Sequence, residues 1–166
     1  KPVFYFPKFF HPDPTVERQS GFLIPTLATS VNSGNSIKIP YFNAIAENKD
    51  YTFTPRFYFN NEILLQNEYR QVNKNSNNTT DFSIKKLDKG TKSHFFSNSK
   101  INFDSDYLDN SQLEINLEKT SNDTYLKSED LKNSIQNNQS LLNSFIKYES
   151  FNDEMDFSIE IAAYED

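Results

Sequence analysis

The sequence predicts an all-β protein that is built on an antiparallel, up-and-down sheet. Apolar and polar residues alternate with a period of two, as in a β-strand, over segments of about nine to eleven residues. Clusters of Asn, Ser, Asp and Gly separate these segments, as turns require. The chain is polar on average, with a mean hydropathy of −0.74, yet 15% of its residues are aromatic. That combination is typical of a sheet with one apolar face and one polar face.

Length, charge and cysteine content narrow the class of protein. The chain has 166 residues, which favours one domain, and its net charge of −6 argues against a nucleic-acid partner. It contains no cysteine, so disulfides and thiolate metal sites are excluded within these residues. It begins at Lys1 with no leader-like segment, and we interpret it as an internal piece or a processed chain.

About nine strands are expected in the main sheet, each bounded by turn residues. They span residues 21–30, 36–42, 51–59, 62–72, 79–87, 94–104, 112–119, 141–151 and 155–164. An aromatic strand at 2–10 and an exposed connector at 11–20 precede them. Gly34 is expected to turn the first hairpin with a positive φ. Residues 73–78 are expected to form a loop, and Ser128 is expected to cap a short helix that carries Leu131 and Ile135.

The two faces of the predicted strands differ in polarity. The apolar face comprises Tyr51, Phe53, Pro55, Phe57, Phe59, Leu113, Ile115, Leu117, Met155, Phe157, Ile159, Ile161 and Ala163. The opposite face is expected to be hydrated and comprises Arg56, Asn60, Glu114, Asn116, Glu118, Asp156 and Glu160. Long alternating strands of this kind occur in transmembrane β-barrels, and soluble sandwiches give the same pattern. A barrel directs Phe53, Phe57 and Phe59 outward, whereas a sandwich buries them against a second sheet.

Pro25 and Pro40 are expected inside the first two neighbouring strands. Proline has no N–H to donate to a sheet ladder, so two such strands predict a seam that pairs poorly. Together the two prolines would let the first strand peel away without melting the rest. The alternative is that Pro25 marks a bulge or a strand end.

Candidate chemistry is sparse. His11 and Asp13 have no further ligand cluster nearby, and surface positions explain them better than a metal site. Glu114 and Glu118 have the spacing of one face of a strand rather than of a catalytic pair. The three glycines are isolated, which excludes a phosphate-binding loop. The sequence therefore predicts no enzyme, with no catalytic residue, no cofactor and no metal.

Several motifs resemble the LPS-assembly protein LptD family, also called organic solvent tolerance proteins. Residues 2–7 (PVFYFP) resemble the stretch before the family's barrel, and residues 18–25 (RQSGFLIP) match its most recognisable motif, with Arg18, Ser20, Gly21, Phe22, Leu23 and Ile24. Residues 39–50, 52–55 and 68–70 continue in the expected order. Glu47 departs from the family pattern, which commonly has proline there. The resemblance is strong over about the first 70 residues and thins toward the end.

The resemblance implies part of a large outer-membrane β-barrel, with the barrel incomplete in this chain. Residues 1–17 would end a periplasmic jelly-roll-like domain, and residues 18–166 would form the N-terminal part of the barrel. The family carries lipopolysaccharide to the outer leaflet of the Gram-negative outer membrane, and acyl chains leave through a lateral gate between the first and last strands. The implied partners are lipopolysaccharide, a plug lipoprotein of the LptE type, a periplasmic bridge protein of the LptA type and outer-membrane lipid.

Two sets of residues acquire expected roles from the resemblance. Pro25 and Pro40 would be the lateral gate, because they lie in the strand at its lip and in the neighbouring strand. The aromatic cluster Phe4, Phe6, Phe9 and Phe10 is either ordinary strand core or a path for acyl chains toward the gate. Arg18 either caps the barrel rim or contacts lipid phosphates. The alternative function is a soluble β-sandwich that binds carbohydrate through exposed aromatic rings.

Overall fold

The chain forms one antiparallel sheet that does not close on itself. A computed structural model describes residues 18–87, 90–103, 110–131, 134–135, 141–151 and 155–165. The elements are β1 (Gly21–Phe22), β2 (Thr26–Ser30), β3 (Gly34–Lys38), β4 (Tyr41–Ala46), β5 (Lys49–Tyr58), β6 (Ile63–Asn73), β7 (Ser76–Leu87), β8 (Gly90–Phe103), β9 (Asn110–Thr120), α1 (Tyr125–Ser128), β10 (Leu142–Phe151) and β11 (Asp156–Glu165). The predicted all-β class is confirmed.

The eleven strand segments occupy nine positions across the sheet. β1 and β4 pair at the edge, and β5 to β11 follow in sequence order. β2 pairs with β3, and β3 also pairs with β5, so β1 and β2 form one interrupted strand and β3 and β4 form the next. Each neighbouring pair is antiparallel and joined by a short connection, except that β9 and β10 are separated by the segment that contains α1. This is the predicted up-and-down order.

Turn residues enforce the direction of the chain where the strands reverse. Gly34 has a φ of 72° and Gly90 a φ of 102°, a region that L side chains rarely adopt, so the positive φ predicted for Gly34 is confirmed. Between β6 and β7, Asn73 pairs with Ser76, which leaves only two residues for the turn. The loop predicted at residues 73–78 is therefore wrong at its end, because residues 76–78 already pair with β6 and β8.

The short helix also differs from its prediction. Ser128 is the last residue of α1 rather than its cap, and the helix begins at Tyr125. Leu126 and Leu131 pack into a small core with Tyr58, Leu64 and other buried apolar residues. Their burial against the sheet determines where this segment lies, because its sequence contains too few helix-forming residues to determine the helix by itself. The predicted strand at 2–10 lies outside the described residues.

The proline positions correct a further expectation. Pro25 and Pro40 lie outside the strands, in the breaks between β1 and β2 and between β3 and β4. Phe22 pairs with Tyr41 and Thr26 pairs with Lys38, so three residues of the first strand face two of the second. One extra residue between paired segments is the geometry of a β-bulge. The expectation that both prolines lie inside strands was wrong, and the bulge alternative describes Pro25.

Candidate functional site

One face of the sheet exposes a continuous set of large apolar side chains. Phe57 is 41% and Phe59 is 71% exposed, and Ile115 is only partly buried. Directly paired residues of neighbouring strands lie on the same face of a sheet. Asn67 pairs with Phe82 and Phe82 pairs with Phe95, so this face continues from β6 to β8. The exposed set further includes Leu27, Ile63, Ile84, Leu117, Ile146, Met155, Phe157, Ile159 and Ile161. An apolar surface of this extent marks contact with lipid or with another protein.

The exposed face separates the two predicted architectures. A sandwich would cover Phe57 and Phe59 with a second sheet, whereas the described residues form a single sheet. Both rings are exposed, as the barrel interpretation requires. Within the described part of the chain, no helix has the length and apolarity to cross a bilayer.

The opposite face is polar, but part of it is covered rather than hydrated. Arg56, Asn116 and Glu118, which were expected to face water, are 1%, 5% and 7% exposed. Arg56 is covered because the segment that contains α1 folds back over it. Glu118 instead accepts hydrogen bonds from the backbone of Asn143 at 3.0 Å and from Asn116 at 3.0 Å. The alternation predicted for this face is confirmed, while its open hydration is not.

A buried ionic cluster lies beneath α1. Lys85 Nζ is 2.7 Å from Glu129 Oε1 and 3.0 Å from Glu62 Oε2. The Tyr58 hydroxyl donates to Glu129 Oε2 at 2.5 Å, and Arg56 donates to the backbone carbonyl of Glu129. Lys85 and Glu129 are each about 1% exposed, so the pair satisfies charges that would otherwise be costly to bury.

The electrostatics of Glu129 follow from these contacts. Burial by itself raises the pKa of the carboxyl, but the hydrogen bonds from Lys85 and Tyr58 outweigh it and hold the pKa below its usual range. Glu62 behaves the same way, since the hydrogen bonds from Ser33 and Lys85 lower its pKa against the effect of burial. Both carboxylates are therefore ionised partners of one lysine.

A second buried network joins β7, β8 and α1. His94 Nε2 is 2.5 Å from Asp81, His94 Nδ1 is 2.7 Å from Ser83 Oγ, and Ser83 Oγ is 2.8 Å from the Tyr125 hydroxyl. The order Asp–His–Ser matches that of a hydrolase triad. The Ser83 hydroxyl is hydrogen-bonded to the Tyr125 hydroxyl, however, and all four residues are buried. A substrate therefore has no access to Ser83. We interpret the network as structural.

The edge of the sheet begins with the predicted motif. The Ser20 hydroxyl accepts from the Ala44 amide at 2.9 Å and contacts Asn43 at 3.2 Å. The Arg18 guanidinium pairs with Asp50 and lies 5.4 Å from the centre of the Phe42 ring. These contacts tie the start of the first strand to its neighbours.

The remaining motif residues lie at the same edge of the sheet. The rings of Phe22 and Tyr41 meet edge to face at 5.0 Å between centres, and Gly21 pairs with Phe42. Leu23 donates its amide to the Pro40 carbonyl at 2.8 Å, and the side chains of Leu23 and Ile24 are exposed. The expected lipid path of Phe4, Phe6, Phe9 and Phe10 lies outside the described residues.

Sequence reasoning missed both buried networks. Arg56 and Lys85 carried a signal, because charged residues at inward positions of alternating strands need partners. Their partner Glu129 lies in a polar stretch without periodicity, and the contact from Lys85 spans 44 residues. No group of three or more potential metal ligands lies together among the residues described.

Fold and surface together define a class: a wall of antiparallel strands, apolar outside and polar inside, of the kind that makes part of a β-barrel. No protein-family profile matches the chain. Curated relatives do match: it is 39% identical over 75 residues to the LPS-assembly protein LptD of Ectopseudomonas mendocina. It is also 37% identical over 75 residues to that of Pseudomonas savastanoi and 39% over 71 residues to that of Aromatoleum aromaticum. These matches confirm that the chain resembles LPS-assembly proteins of this name.

The matches cover part of each protein. They span 43–45% of this chain and 8–9% of the length of these relatives. The chain therefore corresponds to a small part of the proteins it resembles.

Proposed function

We propose that this chain is part of a wall through which lipopolysaccharide is assembled into the outer leaflet of the Gram-negative outer membrane. The observation that carries the proposal is the inverted polarity of the sheet, which exposes Phe57 and Ile159 while it buries Arg56 and Lys85. Water-soluble sheets show the reverse arrangement, whereas barrel walls in lipid require this one. The relatives named LPS-assembly protein LptD support the same role.

The edge formed by β1 and β2 serves as one lip of a lateral gate. The Pro40 carbonyl accepts from Leu23, and the N–H and C=O of a strand residue point to the same neighbour. The N–H that Pro40 lacks would therefore have pointed at the first strand. Each lost ladder bond lowers pairing by roughly 0.5–1.5 kcal/mol. The break at Pro25 lies at the same level, so the two prolines weaken one point of the seam.

The proposal extends to domains and partners. Residues 1–17 end the periplasmic domain, and residues 18–166 belong to the barrel. Acyl chains pass along the edge beside Leu23, Ile24 and Leu27, whose side chains are exposed. The proposed partners of the complete assembly are a plug lipoprotein of the LptE type and a periplasmic bridge protein of the LptA type. The chain has no enzymatic role in this scheme.

The test replaces both prolines in the full-length protein. We call the pairing between the first and second strands the first seam. Pro25→Ala together with Pro40→Ala tightens the first seam, and newly made lipopolysaccharide should reach the cell surface more slowly. The rate is measured by pulse labelling followed by surface capture, at equal amounts of folded protein in the outer membrane.

Pro55→Ala provides the matched control. The Pro55 carbonyl accepts from Ile39 at 3.0 Å, so its missing N–H faces the seam between the second and third strands. This variant should leave the export rate unchanged. An unchanged rate in the double variant, with the first seam no more protected than before, would remove the gate.

A further inference from the structure

The segment that contains α1 contacts the tip of the first hairpin, far away in sequence. The Ser128 carbonyl accepts two hydrogen bonds from that tip, from the Val31 amide at 3.0 Å and from the Ser30 hydroxyl at 2.9 Å. Ser30 is 98 residues from Ser128 and is buried. Both bonds reach the same carbonyl, so the end of α1 fixes the position of the tip.

The ionic cluster holds the same tip from a second side. Lys85 donates to the Ser33 hydroxyl, and Ser33 also donates to Glu62. Lys85 is in turn paired with Glu129 at 2.7 Å, directly after α1. The tip therefore depends on contacts with the strand wall and with the inserted segment at once.

The first hairpin is consequently held unevenly on the two sides of its proline break. Residues 26–38, which we call the tip half, are joined by five residue pairs and by the contacts with Ser128 and Lys85. The part before the break has two residue pairs, Gly21 with Phe42 and Phe22 with Tyr41. Further contacts of this part come from the Phe22 ring, from the Leu23 amide and from the side chains of Arg18 and Ser20.

We propose that residues 124–131 are an internal clasp that covers part of the polar face of the sheet and fixes the position of the tip half. With the clasp closed, movement of the edge is limited to the part before the proline break. With the clasp released, the tip half moves as well. The proposal adds regulation to the lateral edge, and only its meaning for lipid passage rests on the proposed function.

The test measures the position of the tip in the full-length protein in lipid vesicles. Spin-labelled unnatural amino acids replace Val31, at the tip, and Thr91, at the start of β8, both of which are exposed. Five strand spacings separate them, so their distance is about 24 Å, within the range of pulsed electron spin resonance. The unaltered clasp should give a single narrow distance distribution.

Glu129→Ala removes the carboxylate shared by Lys85 and Tyr58. The distribution should become at least about twice as broad, because the buried lysine loses its closest partner. Asp123→Ala is the matched control, since it removes an exposed carboxylate from the same segment. The control should reproduce the narrow distribution.

Ser30→Ala tests the clasp if Glu129→Ala does not fold. This variant deletes one hydroxyl that donates to Ser128 and should broaden the distribution to a smaller extent. A distribution as narrow as that of Asp123→Ala in whichever of the two variants folds would overturn the clasp. The distance does not depend on lipid export, so this failure is distinct from a failure of the proline variants to slow export.

Discussion

Two seams of the sheet differ in how firmly they join their strands. β6 and β7 are paired through eleven residues, from Ile63 with Lys86 to Asn73 with Ser76, with no shift in register. The first seam has two pairs, a break, and then five pairs in a register shifted by one residue. Both seams belong to the same sheet, so the difference arises from the residues at the break.

The difference shows that the weak pairing between strands is concentrated at one edge of this sheet. Pro25 and Pro40 interrupt pairing there, and the buried contacts of Glu129 and Ser128 compensate on one side of the break only. A uniformly weak sheet would lack the long ladder between β6 and β7. A uniformly strong one would lack the bulge. The arrangement suits an edge that opens locally while the wall stays intact.

The largest expected effect comes from removing the clasp carboxylate. Glu129→Ala removes the closest partner of the buried Lys85 and should lower the free energy of unfolding by at most about 3–5 kcal/mol, because Glu62 remains at 3.0 Å. Asp123→Ala should change it by less than about 0.5 kcal/mol, because its side chain is exposed. Guanidinium unfolding of the full-length protein measures both. Equal values for the two variants would show that the first hairpin does not depend on the cluster.

A charge on the outer face should have the next largest effect. Phe82 lies midway along β7 and pairs with Phe95 on the exposed side. Phe82→Arg should cost about 2–4 kcal/mol if this side meets the middle of a bilayer. Asn98→Arg places the same charge on the polar face, where Glu114 lies 2.9 Å from Asn98, and should be tolerated. Folding yield in vesicles distinguishes them, and a reversed order would contradict the assignment of the faces.

Acid should weaken the clasp by less than the alanine substitution does. The folded-state pKa of Glu129 lies below the value of an unfolded glutamate, about 4.3, so its contribution is fully present above that pH. The contribution disappears as the pH falls through the folded-state pKa. The stability difference between the unaltered protein and Glu129→Gln should therefore shrink from neutral pH to about pH 3. A difference that stays constant over this range would contradict it.

The smallest expected effect is at a single proline. Pro40→Ala returns one donor to the first seam and should strengthen it by about 0.5–1.5 kcal/mol. Hydrogen exchange of the amides in β1 and β2 reports this gain. Exchange in β6 and β7 should not change, because these strands lie beyond β5. Slower exchange across the whole sheet would mean that proline acts on global stability rather than on the seam.

Local patterns predicted most of the sheet. Phe57 and Phe59 share an exposed face because a strand alternates its side chains, which is visible in nine consecutive residues. Gly34 predicted the turn of the first hairpin, because glycine adopts a positive φ readily. These features depend on neighbours in sequence, so the sequence shows them directly.

The errors concern long-range contacts. Residues 76–78 are Ser and Asn and resemble a loop, but pairing with β6 and β8 makes them part of a strand. The break at Pro25 depends on the registers of two strands, which proline alone does not specify. The clasp joins Ser30 to Ser128 across 98 residues, and a polar stretch gives no sign of such a partner.

Hydrogen exchange on the full-length protein in membranes tests the uneven seam most directly. Amides in β1 and β2 should exchange at least about tenfold faster than those in β6 and β7, which corresponds to about 1.4 kcal/mol of weaker pairing. That result would establish that the first strand is held more weakly by its neighbour than the inner strands are. Equal protection of the two seams would contradict it.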